Sequence, residues 1–292
     1  MVKKAAQKVE TLIEALPYIR RFFGKVVVVK YGGSAVEQDD LNNSILEDIT
    51  FMSLVGIHPV VVHGAGPFIT KRMEAAGMEV KFVSGIRVTD KKTLEIVTEA
   101  LTEVNREVVR QLSELGNEAK GFVGHNGELI RAKKKQQAVD VGFVGDILGF
   151  DTRILHSLLK SRIIPVVAPL GVGEDGQLYN LNADTVAAEL ARAMQAEKFV
   201  LLTNVNGIMR DVNDPDSLLS TVTVGDVEVL KEQKVIQGGM IPKVDACVHA
   251  AAGGVAKTHI INAQVMHALL VEIYTDKGIG TEIVPGKKKG KA

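Results

Sequence analysis

Residues 25–34 read KVVVVKYGGS, four consecutive valines, a lysine and a tyrosine followed by a glycine pair. The valines make both faces of a pleated strand apolar, which is typical of a strand covered by helices on both sides. Paired glycines let the backbone turn sharply and approach another group closely. The run therefore predicts a buried strand that ends in a glycine turn, with Lys30 near its carboxyl end.

The same alternation of short β-branched runs and longer helical patterns recurs along the chain. Further strands are predicted at residues 58–62, 163–168, 198–202 and 269–274. Helices are predicted at residues 39–55, 67–76, 90–115, 152–159, 184–195 and 242–252. Strand, helix and strand at this spacing favour parallel βαβ units with right-handed crossovers. The predicted class is α/β, an open and mostly parallel sheet sandwiched between helices.

Two glycine-rich segments interrupt this alternation. Residues 117–149 carry six glycines and no helical period, which predicts antiparallel hairpins at an edge. Residues 171–176 contain three glycines and two acids, which predicts a turn where one lobe ends and another begins. We therefore expect two lobes, and the pattern is compatible with one continuous sheet.

The first 24 residues form a separate segment. Val9, Leu12, Ile13 and Leu16 follow the spacing of an amphipathic helix, and Pro17 should bend that helix. The apolar face either packs on its own domain or lies outside the fold, where it needs a partner chain. At the other end, residues 287–292 predict a disordered basic tail.

Composition limits the function classes. The 292 residues contain 35 Lys+Arg and 35 Asp+Glu, a balance that argues against sequence-independent nucleic-acid binding. A single cysteine, Cys247, excludes an intrachain disulfide framework and fits a cytoplasmic protein. The seven histidines show no metal-ligand spacing, and no apolar run is long enough to span a membrane. We expect no nucleic-acid partner, no membrane partner and no metal site built by the protein alone.

Three glycine turns carry the candidate chemistry. Lys30 precedes the first, residues 63–67 read HGAGP, and residues 238–243 read GGMIPK. A glycine turn at a strand end, followed by a helix N-terminus, favours a phosphate or carboxylate ligand. The turn at residues 63–67 does not continue into G-x-G-x-x-G, because the sixth position is Ile69, and the Walker sequence does not occur in the chain. Taken singly, each turn is also compatible with an ordinary strand end.

Two polar segments accompany these turns. Arg87 precedes a helix and has the planar fork that suits a carboxylate, although a lone arginine is more often a surface ion pair. Residues 180–184 read NLNAD and open the helix that follows. Asn182 and Asp184 are compatible with helix caps, whereas Asn180 is not needed for capping. Asp184 also has the charge to hold Lys30 and a second lysine, Lys243.

Taken in order, these segments resemble the amino acid kinase family, and within it the members that phosphorylate N-acetyl-L-glutamate in arginine biosynthesis. The resemblance implies ATP, with Mg²⁺ held mainly through the nucleotide phosphates. It also implies an acylamino-acid-binding lobe at residues 25–174 and a nucleotide-binding lobe at residues 175–286. No general base is required, because a carboxylate nucleophile is already ionised at neutral pH.

The resemblance assigns roles residue by residue. The implied catalytic residues are Lys30, Asp184 and Lys243. The implied amino-acid-binding residues are Gly64, Ala65, Arg87 and Asn180. The implied phosphate- and nucleotide-binding residues are Gly32, Gly33, Gly66, Thr203, Gly207 and Gly239.

The N-terminal segment is similar to the extra kinked helix of the arginine-inhibited, hexameric branch of the family. This implies that residues 1–24 form an oligomerisation helix in a hexamer, a trimer of dimers, and that L-arginine inhibits. The implied arginine-site residues are Tyr18, Lys198, His267, Glu272, Gly278 and Gly280. Some relatives bind a signalling protein of the P-II type, which makes such a protein a candidate partner.

Two alternatives stay open on the residues alone. Ala65 stands where the family commonly has a third consecutive glycine, which keeps a kinase for another acylated amino acid, such as N-acetyl-aminoadipate, in consideration. From a different class, the chain is compatible with a non-catalytic arginine-sensing module. The presence of Lys30, Asp184 and Lys243 together argues against that second alternative.

Overall fold

Eight strands form one continuous sheet in the computed structural model, which describes residues 2–32, 39–126, 128–275 and 278–286. Side chains 2–8, 11 and 39–43 are outside that description. The predicted phosphate-binding Gly33 and the predicted tail at residues 287–292 therefore lie outside the described residues. The sheet carries helices on both faces, which confirms the predicted class.

The described elements alternate along the chain much as the hydrophobic pattern predicts. The strands are β1 (Val26–Tyr31), β2 (His58–His63), β3 (Phe82–Val83), β4 (Ile86–Arg87), β5 (Glu118–Phe122), β6 (Ile130–Lys134), β7 (Gly145–Phe150), β8 (Ile163–Val167), β9 (Leu170–Val172), β10 (Leu178–Asn180), β11 (Lys198–Thr203), β12 (Thr221–Thr223), β13 (Lys257–Asn262) and β14 (Thr281–Val284). The α-helices are α1 (Val2–Phe22), α2 (Asp39–Leu54), α3 (Gly66–Ala75), α4 (Lys91–Glu114), α5 (Thr152–Lys160), α6 (Ala183–Ala193), α7 (Val227–Glu232), α8 (Met240–Ala252) and α9 (Ala268–Tyr274).

The order of strands in the large sheet is β12-β14-β13-β11-β1-β2-β8-β5, so the valine-rich strand β1 lies at its centre. β1 pairs in parallel with β2 on one side and with β11 on the other. In this register Tyr31 lies opposite His63, and Lys30 lies opposite Leu201. Parallel strands end at the same edge of a sheet, so Lys30, the loop after His63 and Thr203 all come to one edge.

Two apolar clusters cover the two faces of the sheet. Val28 packs into one cluster with residues of α6 and α8, while Val27 and Val29 pack into the other with residues of α2 and α4. All three valines are completely buried. Alternate side chains of a strand point to opposite faces, so a run of valines is what a strand between two helical layers requires.

The prediction of a strand at residues 269–274 is wrong, because this segment forms helix α9. Short apolar runs do not distinguish a buried strand from a buried helix, and here tertiary contacts decide. The buried carboxylate of Asp48 accepts hydrogen bonds from the backbone N–H of Leu269 at 3.1 Å and of Leu270 at 3.4 Å. This anchors the N-terminus of α9 on α2.

The prediction of hairpins throughout residues 117–149 is partly wrong. β5 is a parallel edge strand of the large sheet, paired with β8. Only β6 and β7 form an antiparallel hairpin, and they belong to a four-stranded sheet of order β10-β9-β6-β7. The turn predicted at residues 171–176 is found at residues 173–176, between the antiparallel strands β9 and β10, whereas residues 171 and 172 belong to β9. Since β5 carries only one apolar residue larger than alanine, Phe122, it lacks the pattern of a buried strand.

Helix α1 runs from Val2 through Pro17 to Phe22 without an interruption in its assignment. Phe22, at the end of the helix, is buried. Nearer the N-terminus the helix exposes apolar side chains: Val9, Leu12, Ile13 and Leu16 are 40–62% exposed. Of the two interpretations of this face, the structure of the single chain favours the one in which it lies outside the fold. No helix of the described residues has the length and apolar character needed to cross a membrane.

Candidate active site

Lys30, Asp184 and Lys243 meet at the carboxyl edge of the large sheet. Lys30 Nζ lies 2.8 Å from Asp184 Oδ1, and Lys243 Nζ donates to Asp184 Oδ2 at 3.4 Å. Three elements place them, since Lys30 is near the end of β1 while Asp184 and Lys243 lie in the first turns of α6 and α8. Asn182 caps α6 by accepting from Thr185 N, which leaves the Asp184 carboxylate free for the lysines.

Burial strengthens the electrostatic interactions between the charged groups of this cluster. The side chains of Lys30 and Asp184 are 11% and 13% exposed. Burial alone would raise the pKa of Asp184, but the charges of Lys30 and Lys243 outweigh it and hold the pKa below its ordinary value. One anion between two cations leaves a net positive charge in a poorly solvated place. Such a cluster is suited to binding an anion whose negative charge grows during a reaction.

The glycine loop at residues 64–66 lies beside this cluster at the end of β2. Gly64 N donates to Tyr31 O at 3.0 Å, so the N–H of Gly64 is already engaged in the sheet. Ala65 is the N-cap of α3 and provides no side-chain cap, and Pro67 has no N–H. The N–H groups of Ala65 and Gly66 are therefore the ones that this loop can direct at an anion.

A second open helix start lies at residues 238–240. Gly239 is the N-cap of α8 and has no side-chain cap. A Cβ atom at either Gly238 or Gly239 would meet no atom within 4 Å, so the backbone there borders open space. Gly238 has φ +55, a conformation that favours glycine. This is the geometry of a loop that a phosphate group can approach, on the same helix as Lys243.

Arg87 and Asn180, predicted to hold a carboxylate, are connected through Thr89. Asn180 Nδ2 donates to Thr89 Oγ1 at 3.1 Å, and Thr89 Oγ1 donates to Arg87 O at 2.9 Å. The Arg87 guanidinium donates to Thr70 Oγ1 at 2.8 Å and to Gly66 O at 3.2 Å. Arg87 thus belongs to the wall of the glycine loop. The sequence pattern gave no reason to single out Thr70.

Thr203 and Gly207, predicted to bind nucleotide, have local structural functions in this conformation. Thr203 Oγ1 accepts from Val205 N at 2.9 Å and so closes the turn after β11. Gly207 has φ +139, and a Cβ there would lie 2.6 Å from Thr281 Oγ1, which leaves no room for a side chain. Their nucleotide contacts stay predictions. Gly32 is buried directly after β1, at the same edge as Lys30.

Four of the six residues predicted for an arginine site gather around a histidine that the sequence did not indicate. Lys198 Nζ lies 3.2 Å from His259 Nε2, and His259 Nδ1 lies 2.6 Å from Glu272 Oε1. Glu272 Oε2 accepts from the backbone N–H of Ile279 at 2.8 Å and of Gly280 at 3.3 Å. A Cβ on Gly278 would lie 2.5 Å from the same oxygen.

These buried charges perturb one another. Burial lowers the pKa of Lys198 to about 8, although Glu272 opposes the shift. Burial by itself would raise the pKa of Glu272, but its hydrogen bond with His259 and the N–H of Ile279 keep the pKa below its ordinary value. The Lys198 ammonium also lies 5.2 Å from the centre of the Phe22 ring on α1. This cluster therefore touches the N-terminal helix.

The other two predicted arginine-site residues lie at the ends of α9. His267 precedes α9, and its Nδ1 lies 2.7 Å from Asp48 Oδ1. Tyr18 on α1 packs edge to face on Tyr274, the last residue of α9, with ring centres 6.0 Å apart. The structure thus distributes the six residues along α9, around Glu272 at its centre.

A cleft of about 840 Å³ lies elsewhere, between β6, the start of α5 and the turn after β9. Its charged lining includes Arg131, Asp151, Arg153 and Glu174. None of the residues predicted for catalysis, substrate, nucleotide or arginine lines it. The cleft is therefore separate from the cluster of charged side chains at the edge of the large sheet.

Known proteins share this arrangement of strands and motifs. Residues 25–262 match the model of the amino acid kinase family. The acetylglutamate kinase of Heliobacterium modesticaldum is 49% identical over an alignment 292 residues long that covers 96% of this chain and 99% of that protein.

Two solved structures share the fold as well. The N-acetylglutamate synthase of Neisseria gonorrhoeae, complexed with coenzyme A and N-acetyl-glutamate, is 29% identical with a TM-score of 0.85 over 96% of this chain, and the chain spans 64% of that protein's length. The same synthase complexed with coenzyme A and L-arginine is 28% identical with a TM-score of 0.81, over 94% of this chain and 65% of that one. The family model and the identity to the acetylglutamate kinase show that this chain belongs to the amino acid kinase family.

Proposed function

We propose that the chain transfers the γ-phosphoryl group of ATP to the side-chain carboxylate of N-acetyl-L-glutamate, a step of arginine biosynthesis. One observation carries the proposal: Lys30 and Lys243 converge on Asp184 at distances of 2.8 and 3.4 Å, beside two glycine loops. The acetylglutamate kinase that is 49% identical over nearly the full length supports this choice of substrate.

The chemistry requires alignment and charge neutralisation. The acceptor carboxylate has an ordinary pKa near 4.3, so it is an ionised nucleophile at neutral pH. The acceptor carboxylate and the phosphate of ATP are both anions and repel each other unless cations lie between them. Lys30 and Lys243 are placed to supply that positive charge. Asp184 pairs with both ammonium groups and so fixes their positions. Preorganised charges of this kind stabilise the transferring phosphoryl group without reorganising during the reaction.

The substrates are expected on either side of the lysine pair. Arg87, in residues 25–174, and Asn180, just beyond that lobe, hold the α-carboxylate of the acylated amino acid, and the rest of residues 175–286 bind the nucleotide. Mg²⁺ would add neutralisation at the phosphate oxygens. Among the described residues, no group of three or more His, Cys, Asp or Glu side chains is placed to hold a metal ion. We propose that Mg²⁺ arrives with the nucleotide and is held mainly through its phosphates.

Ala65 does not favour a different acyl-amino acid. Its side chain is only 3% exposed and packs into the apolar cluster with α2 and α4. The methyl group therefore faces the core, and the mouth of the loop is not narrowed by it. A panel of N-acetyl-L-glutamate, N-acetyl-aminoadipate and N-acetyl-aspartate with ATP tests the choice. A higher kcat/KM for either of the latter two compounds would contradict it.

Alanine variants of the two lysines test the proposed reaction. Lys30→Ala and Lys243→Ala should each lower kcat by about 10²-fold or more, with KM for N-acetyl-L-glutamate within about threefold, because the lysines act mainly on the transition state. Lys25→Ala is the matched control, since Lys25 precedes the same strand at its other end and its side chain is 52% exposed. Near-normal kcat in either active-site variant would contradict the assignment.

We also propose that L-arginine inhibits the enzyme and that α1 joins protomers into a hexamer. The exposed apolar face of α1 supports the second part, and the cluster at Glu272 supports the first. The carboxylate of Glu272 is a suitable partner for a cationic group. Because Phe22 on α1 contacts the ammonium of Lys198, assembly and inhibition would act on one cluster.

A further inference from the structure

His259 on β13 lies between two buried groups of opposite charge. Its Nε2 atom is 3.2 Å from Lys198 Nζ on β11, and its Nδ1 atom is 2.6 Å from Glu272 Oε1 on α9. All three residues are buried, with 2–6% of their surface exposed. Both ring nitrogens therefore have a hydrogen-bond partner in the structure, one on each side of the imidazole.

The chemistry of the two partners fixes the position of the ring hydrogen. An ammonium group has donors and no acceptor, so His259 Nε2 accepts from Lys198 and carries no hydrogen of its own. The amine of Lys198 is mainly protonated at neutral pH, because its pKa, although lowered by burial, is still about 8. The ionised carboxylate of Glu272 only accepts, so the hydrogen is on Nδ1 and the ring is neutral. Burial also lowers the pKa of His259, which favours the same neutral form.

The neutral ring keeps the two charges apart. Lys198 and Glu272 contact opposite nitrogens of the imidazole, so the width of the ring separates the ammonium from the carboxylate. Opposite charges in a poorly solvated place attract each other strongly, and a closed pair would occupy the donors and acceptors of both groups. A ring that accepts from one group and donates to the other holds both in place and neutralises neither.

Each charged group keeps a position for a ligand. A carboxylate has about four lone-pair sites. Glu272 uses one for His259 Nδ1 and two for the backbone N–H groups directly before β14. An ammonium group has three donors, and one of those of Lys198 faces His259 Nε2. The cluster therefore offers an anion and a cation at a fixed separation.

We propose that His259 is a positioning residue of the arginine site, a neutral Nδ1–H ring that holds the Glu272 carboxylate and the Lys198 ammonium apart and keeps both available to the ligand. This inference rests on the proposed inhibition by L-arginine. Because His259 is only 2% exposed, it acts through the two charged groups and not by contact with arginine. The ring takes no part in proton transfer.

Two substitutions separate the positioning of these charges from simple core packing. His259→Phe keeps a flat ring and removes both hydrogen bonds. The side-chain amide of an asparagine reaches the place of a histidine Nδ1, so His259→Asn keeps a donor toward Glu272 and loses the acceptor for Lys198. His249→Phe on α8 is the matched control, since His249 Nε2 also pairs with a carboxylate, that of Glu189 at 2.6 Å, but its side chain is 50% exposed.

Isothermal titration calorimetry of L-arginine into the full-length chain measures binding without turnover. We expect His259→Phe to raise the Kd for L-arginine by about tenfold or more, which is the usual effect of losing a hydrogen bond to a charged group. His259→Asn should raise it by less than about threefold, and kcat without arginine should stay within about threefold in both variants. An unchanged Kd in His259→Phe, an equal loss in His259→Asn, or a loss of kcat that parallels the loss of binding would overturn the proposal.

The position of the ring hydrogen is tested on the unchanged chain. Solid-state ¹⁵N spectra of the ¹⁵N-histidine-labelled chain at neutral pH report the tautomer of each ring, and the signals that are missing from His259→Asn identify His259. The Nδ1–H form is expected, and the Nε2–H form or a charged ring would refute the inference even if His259→Phe does not fold. Failure of the unchanged chain to bind L-arginine would refute the proposed inhibition together with this inference, whereas arginine binding with the other tautomer would refute this inference alone.

Discussion

Replacing Asp184 by asparagine removes the negative charge that pairs with both Lys30 and Lys243. At the observed separations of 2.8 and 3.4 Å, the two pairs have Coulomb attractions of about 6 and about 5 kcal/mol at an effective dielectric constant of about 20. Desolvation of the charges offsets part of this attraction. Breaking a buried ion pair by removing one partner typically costs about 3–5 kcal/mol of stability.

The catalytic consequence should exceed the effect on substrate binding. Without the carboxylate the two ammonium groups repel each other and move apart, and a displacement of about 1 Å at a reacting centre costs on the order of 10²-fold in rate. We expect Asp184→Asn to lower kcat by about 10²–10³-fold, with KM for N-acetyl-L-glutamate within about threefold. Steady-state kinetics of ADP release, with both substrates varied, measures this.

The control for this variant is Asp245→Asn on the same helix as Lys243. Asp245 pairs with Lys231 at 2.7 Å, but its side chain is 50% exposed, so its loss should leave kcat and stability nearly unchanged. Urea unfolding identifies any Asp184→Asn protein that is not folded. A folded Asp184→Asn protein with kcat within about threefold of the unchanged chain would refute the role of the carboxylate.

We also predict how the free energy of unfolding of the unchanged chain and of Asp184→Asn depends on pH. Because the pKa of Asp184 is lowered in the folded chain, its contribution to the free energy of unfolding is present above the ordinary value near 3.9 and is lost as pH falls through the folded value. Urea unfolding below pH 4 should therefore show a steeper loss of stability in the unchanged chain than in Asp184→Asn. Equal slopes would contradict the lowered pKa.

Three further predictions concern the Glu272 cluster and α1. Gly278→Ala should raise the arginine concentration for half-inhibition by about tenfold with kcat unchanged, because the alanine Cβ would lie 2.5 Å from Glu272 Oε2. Unchanged inhibition would show that this oxygen is not part of the arginine site. Deleting residues 1–24 should abolish the hexamer in size-exclusion chromatography and also arginine inhibition, and the idea fails if both persist. Burial lowers the pKa of Lys198 to about 8, so the folded chain releases this proton at lower pH than the unfolded chain, and the free energy of unfolding should rise between pH 8 and 10. Lys198→Met should remove that rise, which is measured by comparing the free energy of unfolding of the variant and of the unchanged chain as a function of pH. If the two pH profiles are parallel, the lowered pKa of Lys198 is contradicted.

Some features of this protein were accessible in the sequence because a local pattern encodes them. The four valines before Lys30 require burial on both faces, and both apolar clusters receive them. The glycine turns at residues 63–67 and 238–243 mark strand and helix ends, and both helices begin there. The residues at those ends were predictable as a group, since parallel strands share one edge.

Tertiary structure alone decided features whose partners are distant along the chain. The apolar segment at residues 268–274 is a helix because Asp48 on another helix binds its first N–H groups. The contact of Asn105 with His63 joins positions that are 42 residues apart, and that of His259 with Lys198 joins positions that are 61 apart. A lone histidine or asparagine has no periodic signal, so its partner, its tautomer and its charge are set only when packing brings a particular donor or acceptor to it and excludes water.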